Sequence, residues 1–117
     1  MSGQVSRESV RANLTMLPAE AGGRRTPILP RAGQYMPHVR VGKGEYLGVR
    51  FVSGPDSLSP GAAGEVVFDL MYTDRVDYSQ LQQGVQFELL EGNRVIGNGT
   101  VLARTRVDVS EASAPAP

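Results

Sequence analysis

The sequence has no cysteine and no tryptophan, and His38 is its single histidine. The absence of cysteine excludes disulfide frameworks, thiolate metal sites and cysteine nucleophiles. A single histidine also leaves few ways to build a histidine metal site or an acid–base pair, so we expect no metal and no other cofactor. Hydrophobic runs stay well short of the ~20 residues that a membrane-spanning helix requires. The sequence therefore favours a cytoplasmic protein that is neither an enzyme nor inserted in a membrane.

Basic and acidic residues are equal in number, twelve of each, but they are unevenly spread along the chain. Residues 1–56 hold eight basic and four acidic residues, and residues 57–117 hold four basic and eight acidic, so the halves carry charges of +4 and −4. Such asymmetry is typical of a surface that faces an anion or a complementary partner. Alternatively, the two halves interleave in one domain and their charges mix on its surface.

Polar and apolar residues alternate with a period of two through most of the chain, which is typical of half-buried strands. Fourteen glycines and eight prolines leave no room for long helices. The pattern predicts an all-β fold, a six-stranded and mostly antiparallel barrel, because closure removes unpaired strand edges. The expected strands are 10–16, 38–41, 46–52, 65–73, 85–89 and 95–107.

The alternation also predicts the limits of the domain and its core. We expect one domain over residues 10–109, preceded by a flexible segment at 1–9 and followed by a disordered tail at 110–117. Gly97 and Gly99 share one face of the last strand, which indicates either a close approach of another backbone or a bend. The residues expected to form the core are Val10, Leu14, Val49, Phe51, Val66, Phe68, Val85, Phe87 and Val101.

A loop without clear periodicity spans residues 20–38 and is unusually long for a domain of this size. Its three prolines lower the conformational entropy that binding would remove, and its arginines stand beside Tyr35 and Met36, a composition typical of interfaces. One interpretation is that the loop forms the main contact surface, with the turn at Asn93–Arg94 as its neighbour. The other is that Ile28 and Tyr35 only close the end of the barrel while the arginines remain solvated.

Several short motifs follow one another in a recognisable order. The most specific is GVQFELLEGNRVIGNGTV at 84–101, with a glycine, alternating apolar positions, Glu-Gly-x-Arg and closely spaced glycines. EAGGRRTP at 20–27, GQYMPH at 33–38 and SPG at 59–61 precede it. In this order the motifs resemble those of the C-terminal β-barrel, domain III, of elongation factor Tu and related translational GTPases. The resemblance covers about residues 8–107 and implies a free-standing third domain.

The resemblance also implies candidate contact residues, because in that family the barrel meets the tRNA backbone, the GTPase domain and the exchange factor. Loop composition adds Arg31 and Tyr35 to the residues that the resemblance implies. Structural alternatives exist: Arg94 would form a salt bridge with Glu91 across its turn, and His38 would be a partly exposed strand residue. The residues implied by the resemblance are Arg24, Arg25, Thr26, Gln34, His38, Asn93 and Arg94.

The sequence contains no Gly-x-x-x-x-Gly-Lys-Ser/Thr phosphate loop, so we expect neither binding nor hydrolysis of GTP. Asp69, Asp74 and Asp77 lack the glycine and terminal glutamate of a calcium loop, and we expect them to be solvated. The leading hypothesis is a non-catalytic protein-interaction module that binds a partner of elongation factor Tu. The alternative is binding of structured, tRNA-like RNA, with arginines and loop amides contacting phosphates. The zero net charge favours a protein partner.

Overall fold

The structure is a computed structural model that describes residues 6–108, and in this part of the chain six antiparallel β-strands close into a barrel. The strands follow the order β1-β4-β3-β2-β5-β6 around the barrel, and β6 pairs with β1. A single 3-10 turn, Ala19–Ala21, is the helical segment of the described residues. The expected all-β, six-stranded barrel is therefore confirmed. The strands are β1 (Ser6–Met16), β2 (His38–Arg40), β3 (Leu47–Ser53), β4 (Ala63–Leu70), β5 (Gln86–Glu91) and β6 (Arg94–Asp108).

The first strand is longer than its alternation predicted. β1 begins at Ser6, and residues 6–9 pair with residues 105–108 of β6. The barrel thus includes four residues that the sequence pattern assigned to a flexible segment. Residues 1–5 and the tail expected at 110–117 lie outside the described residues.

The core lies inside the barrel and is centred on three aromatic rings. Phe68 stacks on Phe51 with ring centroids 5.5 Å apart, and Phe87 meets Phe68 edge-on at 5.7 Å. Eight of the nine expected core residues are buried. The exception is Val85, which is half-buried because it precedes β5, whose first residue is Gln86.

The paired glycines of β6 allow this strand to pass very close to β1. A Cβ atom on Gly99 would lie 2.5 Å from the carbonyl oxygen of Asn13 and 2.6 Å from Cζ of Phe87. A Cβ atom on Gly97 would lie 2.9 Å from the carbonyl oxygen of Thr15. The close backbone approach expected from the glycine spacing is therefore confirmed.

The strand register places the connecting segments at two opposite ends of the barrel. The 17–37 loop, which joins β1 to β2, shares one end with the β5–β6 turn, and there Ile28 is buried and forms a β-bridge with Leu58. The 71–85 segment covers the other end with the buried side chain of Tyr78, whose hydroxyl donates a 2.7 Å hydrogen bond to the carbonyl of Gly48. Ile28 thus closes the first end, as the second interpretation of the loop expected.

Candidate interaction surface

The 17–37 loop is attached to the β5–β6 turn through one carboxylate. Oε2 of Glu91 accepts two hydrogen bonds, one of 2.6 Å from the Tyr35 hydroxyl and one of 2.5 Å from Nη1 of Arg24. The Tyr35 ring packs edge-on against Phe51 at 5.2 Å, so the tyrosine joins the loop to the core as well. Burial, followed by the adjacent Glu91 carboxylate, raises the pKa of Tyr35 well above its usual range.

Arg94 makes a second attachment between the turn and the loop. Its Nε donates to the carbonyl of Gly22 at 3.1 Å, and its Nη2 donates to the carbonyl of Gly23. These carbonyls follow the 3-10 turn Ala19–Ala21 and would otherwise depend on water. The expected salt bridge between Arg94 and Glu91 is therefore wrong. The Glu91 carboxylate binds Arg24 instead, because the 17–37 loop folds back over the β5–β6 turn.

The remaining candidate residues of the loop and turn are solvent-exposed. Thr26 accepts a hydrogen bond from Nη2 of Arg24 at 3.2 Å, and Arg31 pairs with Asp56 at 3.0 Å. Gln34 joins Arg24 and Tyr35 in the lining of a shallow cavity of about 240 Å³. Among these candidates, Arg25, Gln34 and Asn93 have no hydrogen-bond or ion-pair partner within residues 6–108.

His38 belongs to a different group of side chains, which we call the tyrosine patch. It consists of Met36, His38, Tyr46 and Tyr72. His38 is half-buried in β2, as expected, and its ring lies 6.0 Å from that of Tyr46. Exposure is 60% for Met36, 40% for Tyr46 and 42% for Tyr72. The patch thus adds exposed apolar area next to the C-terminal end of the 17–37 loop.

Sequence reasoning missed the tyrosines of this patch. Tyr72 continues the alternation of the buried residues in β4, and that pattern placed it on the core face. The strand ends at Leu70, however, so Tyr72 turns outward and its ring covers Gly48. The absence of a side chain at Gly48 makes room for the ring, since a Cβ atom there would lie 2.7 Å from Cε2 of Tyr72. Nothing in the local sequence of Tyr72 indicates this contact.

Asp69 is buried rather than solvated, so the expectation for this aspartate is wrong. It is only 4% exposed and accepts a 2.7 Å hydrogen bond from the hydroxyl of Ser9. Arg7 lies 3.3 Å and Arg50 3.6 Å from the other carboxylate oxygen. Long side chains of β1 and β3 therefore cover the carboxylate on the outer wall of the barrel.

Ion pairs between the two halves of the sequence involve six of the twelve basic side chains. Four of the six neighbouring strand pairs of the barrel join a strand of the first half to a strand of the second half. Among residues 6–108, the basic residues without an ion-pair or hydrogen-bond partner are Arg25 and Lys43. The charges thus mix on one surface, as the alternative interpretation of the asymmetry expected. The pairs that join the halves are Arg7–Asp69, Arg11–Glu65, Arg24–Glu91, Arg40–Glu88, Arg50–Asp69 and Arg104–Glu8.

No protein-family model matches the sequence, and no curated protein matches it significantly. Within residues 6–108 no helix is long and apolar enough to cross a membrane. The same residues contain no group of three or more histidine, cysteine, aspartate or glutamate side chains that could hold a metal ion. The contact residues of the loop, the turn and the tyrosine patch are therefore the features from which a function is proposed.

Proposed function

We propose that this barrel is a non-catalytic protein-interaction module, organised like a stand-alone C-terminal barrel of a translation factor, and that the 17–37 loop presents its contact surface. One observation carries the proposal. The loop is attached to the barrel by Glu91 and Arg94, yet the side chains of Leu29 and Met36 on it are 51% and 60% exposed.

Attachment of the loop favours binding because a fixed surface loses less conformational entropy when a partner docks. Arg24 restrains the first half of the loop and Tyr35 its C-terminal end, and the bridge between Ile28 and Leu58 restrains it between them. A loop that served only to cover the barrel end would not need to expose Leu29. Its exposed apolar side chains therefore support a role in contact with another molecule.

The chemistry of the exposed residues favours a protein as the partner. Methionine, tyrosine and arginine are enriched at protein–protein interfaces, and the tyrosine patch extends the loop with two more exposed rings. RNA binding would need several arginines that are available to phosphates. Most arginines are paired with carboxylates instead, and Arg25 is the loop arginine that has no partner among the described residues. The resemblance to domain III suggests proteins that contact elongation factor Tu as the first partners to test.

The proposal is tested by capture from native lysate with the intact chain and a double variant, Leu29→Asp with Met36→Asp. A matched control, Gln82→Asp with Gln83→Asp, changes two exposed residues outside the loop and the tyrosine patch. Protein and RNA are both identified in the captured material, and the affinity for each recovered protein is then measured with purified components. We expect the loop variant to weaken binding by about tenfold or more and the control to leave it unchanged.

The salt dependence of the same binding distinguishes a protein from an RNA partner. A largely apolar protein interface should respond weakly to added salt, whereas contact with several phosphates weakens steeply. Capture of RNA whose binding falls steeply with salt, or equal binding by the loop variant and the chain without substitutions, would contradict the proposal.

A further inference from the structure

The shallow cavity beside Gln34 is lined mainly by one stretch of the 17–37 loop. Pro27, Ile28, Leu29 and Ala32 give it an apolar surface, and its volume is about 240 Å³. We call this cavity the loop recess. Clefts that hold drug-sized ligands measure about 300–1,000 Å³, so the loop recess suits a single side chain rather than a whole small molecule. Its apolar lining favours an apolar side chain.

The loop recess is formed before a partner binds. Ile28 is buried, and its backbone exchanges two hydrogen bonds with Leu58, at 3.0 and 2.9 Å. Tyr35, which also lines the recess, is held by the carboxylate of Glu91. Docking of a side chain therefore orders little of the loop, and it covers Leu29, which is 51% exposed.

Hydrogen-bond donors at and beside the loop recess have no partner within the described part of the chain. They are the side-chain amide of Gln34, Nε of Arg24 and the guanidinium of Arg25, the residue that follows Arg24. The other nitrogens of Arg24 donate to Glu91 and Thr26. A ligand that offers an acceptor, above all a carboxylate, therefore pairs with donors that otherwise face only solvent.

The charges around the loop recess also favour an acidic ligand. Arg25 has no partner among residues 6–108, and Arg94 donates to two backbone carbonyls rather than to a carboxylate. Glu20 is the one acidic residue in the sequence of the loop, and it has no ion-pair partner among the same residues. The surface thus has an excess of one positive charge, which is complementary to a carboxylate on the partner. The balanced pairs are Arg24 with Glu91 and Arg31 with Asp56.

Three other modes of recognition do not suit this end of the barrel. Addition of a strand needs a free sheet edge, and each of the six described strands pairs on both sides. An amphipathic helix needs a groove for several anchors, whereas the loop recess holds one side chain. Binding of RNA needs several arginines that are available to phosphates, and Arg25 and Arg94 are the two on this surface that are not paired with a carboxylate.

We propose that the loop recess binds a short extended segment of the protein partner in which an apolar side chain lies next to an acidic residue. The apolar side chain fills the recess and covers Leu29, the acidic side chain binds Arg25, and the amide of Gln34 bonds to the backbone of the segment. This inference rests on the proposed function, because it specifies the chemistry by which the 17–37 loop recognises a protein.

The test follows the backbone amide resonances of the intact, isotopically labelled chain by NMR while peptides Gly-Ser-Glu-X-Glu-Ser-Gly are added, with leucine, methionine or phenylalanine at X. We expect saturable shifts centred on residues 24–36 with at least one of these peptides. Peptides with glutamine in place of both glutamates, or with serine at X, should bind about tenfold more weakly or not at all. These two controls separate the contribution of the charge from that of the apolar anchor.

Two charge reversals in the protein locate the acidic contact. Arg25→Glu should weaken binding of the glutamate peptides by about tenfold. Lys43→Glu is the matched control, because Lys43 is also exposed and without a partner among the described residues but lies outside the loop. It should leave the affinity unchanged. The same spectra show whether each variant is folded.

Four results would overturn the inference. They are the absence of saturable shifts with all three glutamate peptides, equal binding of the glutamine peptides, equal binding by Arg25→Glu, and shifts of the loop resonances by an RNA oligonucleotide but not by the peptides. Capture from lysate separates this inference from the proposed function. A protein partner whose binding depends on Leu29 and Met36 would uphold the proposed function even where the peptides fail.

Discussion

The Tyr35 hydroxyl donates a 2.6 Å hydrogen bond to the carboxylate of Glu91, which lies 56 residues further along the chain. The same oxygen binds Arg24, so one acidic side chain holds two points of the 17–37 loop. Arg94, three residues after Glu91, holds the carbonyls of Gly22 and Gly23. The loop and the β5–β6 turn therefore form one structural unit, and changes in either should affect both.

Replacement Glu91→Ala should release the loop without unfolding the barrel. It removes the acceptor of Tyr35 and leaves the half-buried guanidinium of Arg24 without its carboxylate, a loss of about 1–3 kcal/mol. Urea denaturation measures the loss, and amide hydrogen exchange of residues 20–36 should accelerate. The exposed Glu20→Ala is the control. Unchanged exchange in the loop would show that Glu91 does not hold it.

Replacement Tyr35→Phe should make the protein less sensitive to alkaline pH. The folded state raises the pKa of Tyr35 above that of the unfolded chain, so the folded state binds the phenolic proton more tightly. Its contribution to stability is therefore complete below a pH of about 10 and decreases as the pH rises further. The free energy of unfolding between about pH 9 and pH 11 measures this decrease, which should be smaller in the variant.

The exposed Tyr46→Phe provides the control for that experiment, since it removes a hydroxyl outside the loop. An equal pH dependence in Tyr35→Phe and in the chain without substitutions would contradict the assignment of the decrease to Tyr35.

Replacement Gly99→Ala should destabilise the barrel by about 1–3 kcal/mol or more. The added methyl group would meet the backbone oxygen of Asn13, which cannot move without shifting β1. The control Gly64→Ala places its methyl group 3.1 Å from Cγ of Pro55, a side-chain contact. Thermal and urea denaturation should show that the Gly99→Ala variant is much less stable than the Gly64→Ala control. The reverse order would show that β1 and β6 can separate at little energetic expense.

Truncation of the aromatic core should be far more damaging than truncation at its margin. Phe68→Ala removes a ring that contacts both Phe51 and Phe87 and should destabilise the domain by about 3–5 kcal/mol. Val85→Ala, at a half-buried position before β5, should lower stability by less than about 1.5 kcal/mol. Urea denaturation of both variants measures the difference. Similar losses of stability in the two variants would show that Val85 belongs to the core.

The neighbouring arginines of the loop should behave differently on charge reversal. Arg25→Glu changes an exposed residue without a partner among the described residues, so stability should stay within about 0.5 kcal/mol. Arg24→Glu would place a second carboxylate beside Glu91 and should lower stability measurably. Calorimetric unfolding compares the two variants. Arg25→Glu is therefore the preferred substitution for testing the loop in binding, and equal losses of stability would show that Arg24 is not the structural arginine.

The strands could be predicted because successive side chains of a half-buried strand face the core and the solvent in turn, which produces alternating apolar and polar residues in the sequence. Val10, Ala12 and Leu14 alternate with polar residues, and each is buried as that period requires. Turn chemistry added the β5–β6 hairpin, whose Gly92 has a positive φ of 62°. The alternation does not mark where strands begin and end. It continues to Tyr72 although β4 ends at Leu70, and it does not indicate that β1 begins at Ser6.

The contacts between distant residues could not be predicted in the same way. The sequence determined a six-stranded barrel and an excess of basic residues in its first half. The tertiary structure alone decided that Arg24 binds Glu91 and that Arg94 binds the carbonyls of Gly22 and Gly23. Local alternation depends on neighbours two residues apart, whereas these pairings depend on strand order and register. The order β1-β4-β3-β2-β5-β6 sets basic strands beside acidic ones, and this is why the opposite charges of the two halves meet.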